Sequence, residues 1–78
     1  MARITSFHEG QHNPNARPHT ETECSFSFVE VHGEPMVNLA TFGSKDRQKK
    51  GSTSQTIQLD REAALALVEI LRRQFDDI

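Results

Sequence analysis

Apolar side chains recur at every second position in three stretches of this chain and at every third or fourth position in one more, and this alternation sets the elements. From Cys24 to Val31 apolar residues occupy positions 24, 26 and 28, then 29 and 31, so the stretch reads as a strand whose phase changes at Phe28-Val29. Such a change predicts either a bulge or a strand end covered on both faces. His32-Gly33-Glu34-Pro35 reads as a turn, and residues 36–42 as a second strand with Val37 and Leu39 on one face and Met36, Ala40 and Phe42 on the other. Together they predict a hairpin. Residues 54–59 repeat the alternation, with Ile57 and Leu59 inward and Thr56 and Gln58 outward.

A helical period then takes over. Asp60 has the chemistry of an N-cap and Glu62 suits the positive end of a helix dipole, so residues 60–75 are expected to form one helix. Ala64, Leu67, Val68, Leu71 and Phe75 make one stripe, which Ala63 and Ile70 widen on one side and Leu65 on the other. A stripe of about 100° is enough to cover a sheet, and this one is wider. The surplus predicts a second copy docked on the helix through Leu65, Val68, Arg72 and Phe75. On the opposite face Glu69 and Arg73 have i, i+4 spacing and Arg72 is within reach of Asp76, which marks a solvated side.

Residues 9–23 combine Gly, Pro and Asn with almost no apolar side chains and read as a loop or arm. Residues 3–7 ahead of them allow a short edge strand anchored by Ile4 and Phe7. The expected fold is therefore α+β: a three- to four-stranded antiparallel sheet covered on one face by a single C-terminal helix. Residues 1–23 form its arm and residues 24–78 a ββ-loop-βα domain.

Length and composition narrow the class. At 78 residues there is room for one domain, and a chain of this size buries only about 60% of its unfolded surface. Trp and Tyr are absent and the apolar fraction is 35%, so the five Phe are expected to carry most of the aromatic burial. Cys24 is the only cysteine, which excludes an intramolecular disulfide and fits a reducing, cytoplasmic location, nucleoid association included. It sits in an apolar alternation and is expected to be a small core residue. No run approaches the roughly 20 apolar residues that cross a bilayer, so no membrane role is expected.

The formal charge of the chain is −2, yet residues 45–50 hold four cations and one acid. Two readings stand side by side. In one, Lys45, Arg47, Lys49 and Lys50 follow a phosphate backbone, Ser52 and Gln55 donate to it, and Phe42 offers a stacking face. In the other the segment is a solvated hairpin loop. His8-Glu9-Gly10-Gln11-His12 spells H-E-x-x-H, which on a helix places two imidazoles on one metal, but Gly10 and Asn13-Pro14 interrupt a helix there. No metal, cofactor or catalytic set is expected, and an enzyme is the remote reading.

The order strand, turn, strand, basic Gly-containing loop, short strand and single helix resembles the transcriptional coactivator family typified by positive cofactor four. The corresponding pieces are residues 33–39 for the turn and central strand, Lys49-Lys50-Gly51 for the basic approach, and residues 56–60 for the last strand and helix cap. The likeness covers roughly residues 24–78 and is one of layout. It implies a curved sheet that binds single-stranded DNA and dimerisation through the helices. The expectation is thus sequence-tolerant binding of single-stranded DNA or RNA in transcription, replication or repair. The alternative is a small interaction or inhibitor module that presents its sheet edge or loop to a larger protein.

Overall fold

The computed structural model describes residues 1–42 and 53–78. Its elements are β1 (Ala2–Ile4), β2 (Cys24–Val31), β3 (Glu34–Phe42), β4 (Thr53–Leu59) and α1 (Arg61–Gln74), and the four strands form one sheet in the order β1-β4-β3-β2. This is a mostly antiparallel sheet with a single C-terminal helix, an α+β fold. The edge strand expected over residues 3–7 lies instead at Ala2–Ile4 and runs parallel to β4, with Ala2 opposite Ile57 and Ile4 opposite Leu59. Parallel pairing obliges the chain to travel from one edge of the sheet to the other before β2, and the polar residues 5–23 make that journey.

The β2-β3 hairpin turns on only two residues. His32 and Gly33 both have positive φ, 51° and 80°, the signature of the tight turn whose twist matches its flanking strands. The second strand therefore starts at Glu34 rather than at residue 36. Pro35 is tolerated because Val31 and Glu34 close the turn, and the next pair, Glu30 and Pro35, points its backbone away from the partner strand. On that outward side β4 ends at Leu59, opposite Val37, so no bond is forfeited.

The phase change in β2 is not a bulge, since its register with β3 is unbroken from Cys24 to Val31; Val29 and Val31 are half-buried on the face opposite Phe26 and Phe28. The irregularity falls between Thr41 and Phe42, where β3 meets β4. Residues directly opposite one another share a face. One face thus carries Phe26, Phe28, Val37, Leu39, Ile57 and Leu59, and the other Ser25, Ser27, Asn38, Ala40, Thr56 and Gln58, with Val29, Val31 and Met36 at the turn end.

α1 begins where expected and touches the sheet at β4. Asp60 caps it, accepting from the Ala63 N–H at 2.8 Å. Ala63 is buried and Ala64, Leu67 and Leu71 are half-buried, whereas Leu65, Val68, Ile70 and Phe75 are exposed. Val68 and Phe75 therefore fall outside the covered stripe. The expected ion pairs also change: Arg73 pairs with Glu9 of the arm at 3.1 Å, and Arg72 approaches Glu69 at 3.8 Å and donates from Nε to the Ile78 carbonyl rather than meeting Asp76. An arm that reaches the last helical turns supplies the carboxylate that spacing alone assigned to Glu69.

The core is small. Met36, Leu59 and Ala63 are the buried apolar residues among those described, and the radius of gyration is 14.8 Å. A compact chain of this length has a radius of about 11.5 Å.

Candidate nucleic-acid interface

The two described residues that flank the basic segment, Phe42 and Thr53, are paired with each other at one end of the sheet. Lys45, Arg47, Lys49, Lys50 and Ser52 lie outside the described residues. Phe42 is half-buried at the β3 end, where its carbonyl accepts from Thr22 Oγ1 at 2.8 Å. Gln55 is exposed, two positions into β4, and its opposite number Thr41 is in turn opposite Cys24. One row across three strands, Gln55-Thr41-Cys24, thus borders the segment. Gln55 shares its face with Ile57 and Leu59, while Gln58 lies on the other and donates to Asn38 Oδ1 at 3.1 Å.

The side chains that alternation assigns to the core stand in solvent instead. Phe26 is 66% and Phe28 80% exposed, their ring centroids 5.7 Å apart at an interplanar angle of 53°. Cys24 is exposed as well. Alternation tells which residues share a face, but which stretch of that face the helix and arm leave uncovered depends on contacts distant in sequence. β2 is the outermost strand and α1 meets the sheet at β4, so none of the described elements covers this part of the face. The signal in the sequence is the alternation of two Phe with two small polar Ser residues, Ser25 and Ser27, which supply little bulk.

Phe26 sits two positions from Cys24, at roughly 7 Å along the strand, so the aromatic pair leads toward the end of the sheet from which the basic segment departs. The opposite face is polar around Arg3, Asn38, Thr56 and Gln58, which line a shallow depression with Met1 and Ala2. Arg3 is committed there: its Nη2 donates to Asp60 Oδ2 at 3.0 Å. The Ala63 N–H first, and Arg3 beside it, hold the Asp60 carboxyl below its ordinary range.

Residues 8–12 adopt no helix, so the geometry that H-E-x-x-H requires is not formed, and Glu9 is engaged with Arg73. Phe7, Glu9 and Gly10 line an open depression against Ile70 and Arg73. The four helix residues expected to hold a second copy, Leu65, Val68, Arg72 and Phe75, are all exposed. No helix among the described residues is long and apolar enough to cross a membrane. Compared with protein-family models, with curated proteins and with solved structures, the chain matches none.

Proposed function

We propose that this chain binds single-stranded nucleic acid without sequence preference, as an accessory protein in transcription, replication or repair. The observation that carries the reading is the solvent-exposed Phe26-Phe28 pair on the strand that opens beside the basic segment. Every base has a flat face, so exposed rings accept any sequence, while lysine and arginine follow the phosphates. Phe26 and Phe28 carry the stacking, and Phe42 closes β3 beside the start of the basic segment. Lys45, Arg47, Lys49 and Lys50 carry the charge, and Ser52 and Gln55 donate to phosphate oxygens. The resemblance of the order of elements over residues 24–78 to the positive cofactor four family implies the same reading.

The test is fluorescence anisotropy with a labelled oligothymidine and a duplex of equal length, at low and moderate salt. The wild type is expected to prefer the single strand. Because stacking contributes about 1–3 kcal/mol per base, Phe26→Ala/Phe28→Ala should weaken binding tenfold or more. Lys49→Ala/Lys50→Ala should flatten the dependence of log affinity on log salt by about 1.4, because each phosphate neutralised on a single strand accounts for roughly 0.7 of the slope. Equal binding by the wild type and both double variants would sink the proposal, as would no binding at micromolar protein.

A further inference from the structure

β2 is the unprotected edge of the sheet. It has eight residues, contains no Pro, Lys or Arg, and carries Glu30 as its only charged side chain. Among the described residues, no backbone hydrogen bond outside the regular elements reaches its outer side. The other edge, β1, is three residues long and bears Arg3. Long edges free of charge and proline are templates for another strand, and proteins that remain monomeric blunt them.

The pairing pattern within the hairpin fixes what that edge offers. Val31 and Glu34 close a two-residue turn, so Val31, Val29, Ser27 and Ser25 exchange bonds with β3, and Cys24, Phe26, Phe28 and Glu30 turn their N–H and C=O groups outward. An incoming antiparallel strand must match even positions to even positions. A second β2 does so about a two-fold axis at Ser27, placing Phe26 opposite the other copy's Phe28, Ser25 opposite its Val29 and Cys24 opposite its Glu30. Positions 24–30 are then all paired, every Phe meets a Phe, and no like charges face each other. An axis at Phe26 pairs only positions 24–28, and one at Phe28 pairs 25–31 but sets Phe26 against Glu30 and leaves the outward groups of Cys24 unpaired.

We propose that β2 is the seam of a two-fold homodimer, joining two sheets into one through antiparallel β2-β2 pairing centred on Ser27. The occupant is a second copy because the strand is complementary to itself in hydrogen bonding, in aromatic placement and in charge. The helix surface is the weaker candidate, since Arg72 stands amid its apolar residues, engaged with Glu69 and the Ile78 carbonyl. The Phe rings project from a sheet face, so edge pairing gathers four of them into one cluster, two from each strand, and leaves that face open. The proposal does not depend on the nucleic-acid reading.

Sedimentation equilibrium at tens to hundreds of micromolar should give a dimer mass. Ser27→Lys sets two ammonium groups against each other on the axis, while across the hairpin the new side chain meets only Asn38. It should yield a folded monomer by circular dichroism. Leu65→Glu/Val68→Glu, on the helix, should remain dimeric. Opposed residues of a non-hydrogen-bonded pair sit about 4.5 Å apart at Cα, within disulfide range. Cys24→Ser/Ser27→Cys should therefore form an interchain disulfide on mild oxidation, and Cys24→Ser/Ser25→Cys should not. A monomer at all concentrations overturns the proposal, as does a dimer abolished by the helix variant. Failure of the residue 27 cysteine to cross-link overturns it too, and decides the matter if Ser27→Lys does not fold.

Discussion

Asp60 joins two parts of the chain with one carboxylate, capping α1 through Oδ1 and holding Arg3 of β1 through Oδ2. Both contacts favour the ionised form, so folding lowers its pKa from the ordinary 3.8. A lowered carboxyl pKa gives stability that is complete above 3.8 and fades as pH falls through the lower folded value. Asp60→Asn keeps a capping oxygen and loses the charge, so at neutral pH it should melt somewhat below the wild type. The gap should close as pH drops below 3.8 in melting curves taken along a pH series. The cap is legible in the sequence, because N-cap chemistry is local; the arginine 57 positions away is not. Leu59 presents the opposite case, a residue whose alternation announces its burial and whose exposure is 6%. Leu59→Ala should cost about 2–4 kcal/mol by urea denaturation, a large share of what so small a core can supply.

β2, β3, β4 and the helix are readable to within a residue or two because each follows its own period, and the misjudged start of β3 has a definite cause. Proline at position 35 looks like part of a turn until β4 is seen to stop short of it. The hairpin turn itself rests on backbone conformation. A Cβ built on Gly33 meets nothing within 4 Å, so Gly33→Ala carries only the penalty of its 80° φ, about 1 kcal/mol, measurable as a lower urea midpoint. His32 sits at φ 51°, in the left-handed region that asparagine tolerates best after glycine, so His32→Asn should raise the midpoint slightly. For β2, period alone separates the two faces and cannot say that Phe26 and Phe28 lie beyond the reach of α1. That exposure makes β2 the element on which the binding proposal turns.

At the scale of the molecule, nothing in the sequence hints that the first strand lies parallel to the last, because three residues carry too little pattern to specify a partner. The charged half of the candidate site is legible as composition in residues 45–50, whereas its aromatic half reads as core when period is the only guide. The pairing of Ala2 with Ile57 also orders events in time. Nearly all of the sheet must leave the ribosome before the first strand has anything to pair with, so that strand waits bare while its mate is still being translated. A cell that shields emerging chains would meet this one with Ala2 to Ile4 still uncovered.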